Sequence, residues 1–187
     1  MKNLAVIFPG IGYTKERPLL YYSKKLARQF DYEVISVSFG ELPDPKDFGD
    51  PERRKALMDL ALSRSRSALK DVEFSSYDRI IFISKSLGTV VAAAIAAETE
   101  AEIEQLYFTP LEETFLYAKK GVGIVFFGTA DPWADYRKTL HSAEALELTC
   151  HLYENANHSL ETDSVLVNLQ ILNKIMQIAE ELFNSAN

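Results

Sequence analysis

The 187-residue sequence is short of several things, and each scarcity narrows what the protein can be. It has one cysteine, Cys150, which has no partner for an internal disulfide; a reducing cytoplasm is therefore the expected compartment. No segment approaches the roughly 20 apolar residues of a membrane-spanning helix, so no membrane span is expected. Met1-Lys2-Asn3 followed by Leu4–Phe8 is too short for the apolar region of a signal peptide and reads as a strand. Cations are in deficit, with 20 Lys and Arg against 27 Asp and Glu, a formal net charge of −7. That balance argues against a nucleic-acid partner, which would call for a basic stripe. Metal-ligand spacing is missing too: Cys150 and His151 are neighbours that would point to opposite faces of a strand, and His141 forms no recognised set with them. Gly10-Ile11-Gly12 lacks the third glycine of a dinucleotide loop, because Lys15 stands there, and no glycine directly precedes Lys85-Ser86 as a P-loop would require. No metal and no organic cofactor are expected.

What the sequence has is alternation. Leu4–Phe8, Glu33–Phe39, Arg79–Ser84, Ile103–Thr109, Val122–Phe127 and Glu147–Tyr153 read as six strands, several of them continuous apolar runs suited to a parallel sheet buried on both faces. Between them lie helical patterns over about 16–30, from an Asp50 cap and Pro51 to about Val72, over Ser86–Glu98, Leu111–Lys119 and Trp133–Ala143, and from about Leu160 to Phe183. The final stripe includes Val165, Leu169, Leu172, Ile175, Met176, Ala179 and Leu182. Gly40, Pro43, Pro45 and Gly49 mark a surface loop. Strands alternating with helices imply βαβ units, with helices on both faces of one sheet. Ligands of such sheets bind beyond the carboxyl ends of the strands, which directs attention to Pro9–Thr14, Phe39–Asp44, Ser84–Gly88, Thr109–Glu112, Gly128–Trp133 and Glu154–His158.

The sharpest motif is Ser84-Lys85-Ser86-Leu87-Gly88, between a buried strand and an Ala-rich helix. It differs from the G-x-S-x-G nucleophile elbow only at its first position, and Ser84 and Gly88 meet the demand for small residues on either side of the tight turn. On its own the pattern also describes a serine that merely caps the helix. The rest of the chain decides between these. A serine nucleophile needs a base and the base an orienting acid. Of the three histidines, His141 falls in a helix and His151 in a strand, leaving His158 on a loop after the last strand. Asp131, after the fifth strand, is the acid; Asp135, expected one turn into the next helix, ranks second. Ser86, Asp131 and His158 each follow a different strand at the same end of the sheet, in the chain order Ser, Asp, His. Two backbone N–H groups should face the developing oxyanion: that of Leu87, after the nucleophile, and that of Ile11, in the glycine-bearing loop after the first strand.

These residues resemble the α/β-hydrolase superfamily in its small form. Phe-Pro-Gly-Ile-Gly (8–12) stands where the family often has a His-Gly oxyanion loop, Ser-Lys-Ser-Leu-Gly (84–88) at the elbow, Gly-Thr-Ala-Asp-Pro (128–132) at the acid and Ala-Asn-His (156–158) at the base. Pro9 in place of His and Ser84 in place of Gly are departures. The resemblance implies a three-layer α/β/α sandwich with a mainly parallel six-stranded sheet in the order 2-1-3-4-5-6, a single domain over 1–187, and a serine hydrolase acting on an ester or thioester, a small-molecule acyl substrate. Tyr13 and Trp133 would bind substrate, with Phe39, Pro110 and Leu160 also flanking the site. A non-catalytic binding protein on the same scaffold is the alternative. Ser86 and Asp131 are 45 positions apart, which leaves no room for a cap.

Overall fold

A computed structural model describes residues 1–42 and 50–185. The breakers Pro43, Pro45 and Gly49, and Asp44, lie outside the described residues. The elements, in chain order, are β1 (Asn3–Phe8), α1 (Pro18–Gln29), β2 (Tyr32–Ser36), α2 (Pro51–Leu69), β3 (Arg79–Lys85), α3 (Leu87–Ala97), β4 (Ile103–Phe108), β5 (Ile124–Gly128), α4 (Tyr136–Ala145), β6 (Thr149–Tyr153) and α5 (Val165–Asn184). The six strands form one sheet in the order β2-β1-β3-β4-β5-β6, every pairing parallel. The α/β architecture and the three layers expected from the sequence, and the strand order that the resemblance implies, are therefore borne out. Because β1 is followed by β2 on one side and paired with β3 on the other, the winding reverses between β1 and β3, at the crevice where ligands of such sheets bind.

The strands are apolar throughout because both faces are covered. Alternate residues serve opposite layers. Ala5, Ile7, Ile81, Ile83, Leu106, Phe108 and Phe126 pack under Leu20 of α1 and Ile175, Ala179 and Phe183 of α5. Leu4, Val6, Phe8 and Phe82 pack under Ala61 of α2 and Leu87 and Val91 of α3, while Val125 and Phe127 meet Ala143 of α4. Each fully buried Leu, Ile or Phe contributes about 1.5–3 kcal/mol. No helix among the described residues is long and apolar enough to cross a membrane.

Several element ends differ from expectation, each for a local reason. α2 begins as expected, with the Asp50 carboxylate accepting from Arg53 N at 2.9 Å and Pro51 next to it. The stretch after β4 forms only a 3-10 helix, Glu112–Leu116. α4 starts three residues late because the Asp135 side chain caps it, accepting from Arg137 N at 3.0 Å, rather than sitting a turn inside. α5 starts at Val165: Asn168 Oδ1 accepts from Thr162 N (2.6 Å) and from Thr162 Oγ1 (2.8 Å), and the Ser164 side chain caps the helix. The buried stripe of α5 is Ile171, Ile175, Ala179 and Phe183, so Val165 (71% exposed) and Leu169 (58%) fall outside the core that the sequence pattern assigned them to. Tyr22 of α1 is likewise exposed.

Candidate active site

The elbow is built by β3 running directly into α3. Between Lys85 and Leu87, Ser86 adopts φ 54° and ψ −122°, a region costly for a residue with a side chain. Three hydrogen bonds hold it there: Ser86 N to Phe108 O (3.0 Å), and Thr89 N (2.8 Å) and Thr89 Oγ1 (2.6 Å) to Ser86 O. Ser86 stands at the cap position of α3, yet its side chain caps nothing. That separates the two readings of the motif, because the hydroxyl is turned to His158 instead. The small residue at 88 has a different cause from the one expected. A Cβ on Gly88 would lie 2.4 Å from Pro9 O and 2.5 Å from Phe8 O, so the close neighbour is the end of β1 and not Ser84. Ser84 is fully buried, its hydroxyl donating to Leu106 O at 3.1 Å.

The three residues that follow different strands meet. His158 Nε2 lies 2.8 Å from Ser86 Oγ, and Nδ1 lies 2.6 Å from Asp131 Oδ2. With Asp131 ionised, Nδ1 donates to the carboxylate, which leaves Nε2 to accept the Ser86 proton. The Asp131 side chain is only 4% exposed and its Oδ1 accepts from Trp133 N at 2.8 Å, so the turn role of this aspartate and its contact with His158 coexist on two oxygens. The loops carrying acid and base are stapled together. Thr129 N donates to Tyr153 O (3.1 Å), Ala130 N to Ala156 O (3.0 Å) and Asn155 N to Thr129 Oγ1 (2.8 Å). Burial holds the His158 imidazole below the usual histidine value, opposed by its hydrogen bond to Asp131 and reinforced by the nearby Lys85 charge.

Ser86 and His158 open onto a cleft of about 260 Å³ that Ile11, Tyr13, Arg17 and Trp133 also line. Ile11 sits in a turn closed by hydrogen bonds between Gly10 and Tyr13, and a Cβ on Gly10 would come within 3.1 Å of Ser86 Cβ, so the loop lies against the elbow. Leu87 opens α3, where the first N–H groups have no intrahelical acceptor. Tyr13 is buried, its phenol pushed up to about 12 by burial and accepting from Leu19 N at 3.1 Å. Trp133 is half exposed, its ring 6.3 Å from that of His158. Phe39 and Pro110 are buried and do not line the cleft; Phe39 belongs to the core beside Val37. Leu160 is buried at 2% exposure, in the core cluster that includes Tyr13 and Leu19. His151 stacks on Phe126 and Cys150 packs on the other face, far from any common ligand position. Among the described residues no group of His, Cys, Asp and Glu is placed to hold a metal ion.

Lys85 and Thr109 fall in stretches that the strand ends mark, 84–88 and 109–112, but the sequence gives their side chains no role in the triad. Lys85 is fully buried with its amine 2.6 Å from Thr109 Oγ1, and Thr109 donates to His158 O at 3.0 Å. Strand alternation carried the signal for Lys85, since it shares a face with Ile81 and Ile83. Thr109, at φ 43°, was marked only by its place at the end of β4.

No family model matches the sequence, and no curated protein does. Solved structures do. A protein of unknown function and candidate α/β hydrolase from Agrobacterium tumefaciens superposes with a TM-score of 0.72 at 17% identity, covering 99% of this chain and 87% of that one. A candidate hydrolase of the alpha/beta superfamily from Xanthomonas campestris pv. campestris gives 0.71 at 13%, covering 99% of each chain. An α/β serine hydrolase without lid from Xanthomonas campestris gives 0.63 at 15%, covering 97% and 80%. The chain has the α/β-hydrolase fold. Between Ser86 and Asp131 it carries only α3, β4, the 3-10 helix and β5, with no cap.

Proposed function

We propose that the protein is a serine hydrolase that cleaves a small or medium ester or thioester through an acyl-enzyme on Ser86. The observation that carries this is the unbroken hydrogen-bonded chain Ser86–His158–Asp131 on a strained serine that does not cap its helix. In this reading His158 Nε2 takes the hydroxyl proton as Oγ attacks the carbonyl carbon. Asp131 keeps the imidazole in the required tautomer and stabilises its cation. The N–H groups of Ile11 and Leu87 face the oxyanion, where each such donor is worth roughly 10²–10³ in rate. His158 then protonates the leaving alcohol or thiol, and a water activated by the same nitrogen releases the acid. No metal or organic cofactor enters these steps.

Tyr13 and Trp133 form the walls against which substrate would rest. Tyr13 and Ser159 also line an adjoining groove of about 290 Å³, whose other walls include Leu160, Leu169 and Leu172. An unbranched apolar acyl group suits that lining. Neither partner chain nor nucleic acid is needed, and a lone thiol at Cys150 suits a reducing cytoplasm.

A fluorophosphonate probe tests the reading without a known substrate. Labelling of the wild type that maps to Ser86 supports it, whereas a folded protein that does not label is the non-catalytic binder. A series of acyl esters then reads the groove: turnover should rise with chain length, and Leu169→Asp should lower it for the longer esters and spare acetate.

A further inference from the structure

Lys85 is a fully buried charged group of the site that this mechanism does not use. It ends β3, one residue before the nucleophile, and its side chain is wholly buried beside Ile83. Placing an ammonium there costs several kcal/mol, whereas an aliphatic side chain of equal length would fill the space without that cost. Little in its surroundings repays the burial in stability. Nζ donates to Thr109 Oγ1 at 2.6 Å, lies 5.0 Å over the Tyr13 ring, and feels the Asp131 carboxylate from beyond ion-pair distance. Its one strong bond leads to the base. The Thr109 hydroxyl that accepts from Lys85 donates in turn to the carbonyl of His158 at 3.0 Å. Thr109 itself is anchored by its N–H to Phe126 O at 2.9 Å, so the relay ties the ends of β3, β4 and β5 to the loop after β6.

We propose that Lys85 is a positioning residue for the base: through Thr109 it fixes the main chain of His158 and so the seat of Nε2 against Ser86. This rests on the hydrolase reading above. Charge adds a second effect. Burial lowers the amine to about 7, and the ammonium in turn holds the imidazole toward its neutral, proton-accepting form. The groups facing this pair are Asp131 from the loop after β5 and Tyr13 from the loop after β1, with Glu161 and Arg17 acting on Tyr13.

The test follows the rate at which a fluorophosphonate inactivates Ser86, as a function of pH and probe concentration, in Lys85→Met, Thr109→Val and Thr109→Ser. Lys85→Met should fold with a raised Tm at pH 7 and react roughly tenfold more slowly at saturating probe, with the half-saturating concentration unchanged. Its acid limb should move to higher pH, since a repelling cation has gone. Thr109→Val should slow the reaction with the limb in place, and Thr109→Ser, which keeps the hydroxyl, should react at the wild-type rate. Wild-type rates in both Lys85→Met and Thr109→Val overturn the proposal. So does a slow Lys85→Met with an unmoved limb beside a Thr109→Val that reacts normally, because that pattern is packing alone. Should Lys85→Met not fold, a normal rate in Thr109→Val overturns the relay by itself. A wild type that never labels removes the hydrolase reading and this role with it, whereas labelling undiminished in the variants removes only the role of Lys85.

Discussion

Gly128 offers a perturbation whose size can be worked from the structure. It ends β5, opposite Tyr153 of β6, and the loop bearing His158 passes directly over it. A Cβ at 128 would lie 2.2 Å from Ala156 O and 2.7 Å from Asn157 O, where real Cβ atoms essentially never come within 3.0 Å. The backbone dihedral is not in the left-handed region, so Gly128→Ala strains only the contact. Ala156 O must therefore withdraw by at least about 0.8 Å, the gap between 2.2 and 3.0 Å, and Asn157 O by at least about 0.3 Å, the gap between 2.7 and 3.0 Å, and their neighbour His158 moves with them. The hydrogen bond from Ala130 N to Ala156 O goes first. A displacement near 1 Å along the contact takes the 2.8 Å separation of Nε2 and Ser86 Oγ past the limit of a hydrogen bond. Misplacement on that scale costs up to about 100-fold in rate, and overpacking costs about 1–3 kcal/mol in stability, or about 2–4 °C in Tm per kcal/mol for a chain of this size. Thermal unfolding and fluorophosphonate inactivation rates, measured side by side, check both. A Gly128→Ala protein with the wild-type rate and a Tm within about 1 °C would refute the reasoning that this glycine sets the place of the base.

Asp131→Asn should keep the fold and lower ester turnover by about three to four orders of magnitude, because an amide favours the wrong imidazole tautomer; steady-state kcat on any accepted ester reads this. The pH profile has a definite sign. His158 works as the neutral base and burial depresses its protonation below the usual 6.5, so kcat/KM should stay level through neutrality and fall only on the acid side of 6.5. The same depression links to stability: its contribution is complete above 6.5 and is lost as pH falls through the lower folded value, which urea midpoints across pH 4–7 would follow. Lys85→Met should raise Tm at pH 7, with the gain shrinking as pH approaches 10.5, where the unfolded amine also loses its proton.

Much of this was legible in the chain because the relevant signals are local and repeated. Runs such as Leu4–Phe8 and Arg79–Ser84 have no polar alternation, which only a sheet covered on both faces tolerates. Ser86, Asp131 and His158 could be placed together because a parallel sheet sends every strand's carboxyl end to the same edge. What could not be read depends on side chains that meet across the sequence. The start of α4 moved because Asp131 and Asp135 occupy the preceding turn with their own hydrogen bonds, and α5 lost its first turn to the Thr162–Asn168 pairing. Gly88 looked like a partner of Ser84, yet its neighbours are the carbonyls of Phe8 and Pro9, where β1 ends, far away in the chain. Thr109 joins Lys85 to His158 over separations that no spacing rule spans.

Ser86 as a nucleophile activated by His158 is the centre of the proposed function. The most direct measurement is covalent labelling by a fluorophosphonate, with the modified peptide identified by mass, in the wild type, Ser86→Ala and His158→Ala. One adduct on Ser86 is expected in the wild type, none in Ser86→Ala, and labelling slowed by orders of magnitude in a folded His158→Ala. Labelling of His158→Ala at the wild-type rate, or an adduct that persists in Ser86→Ala, would contradict it.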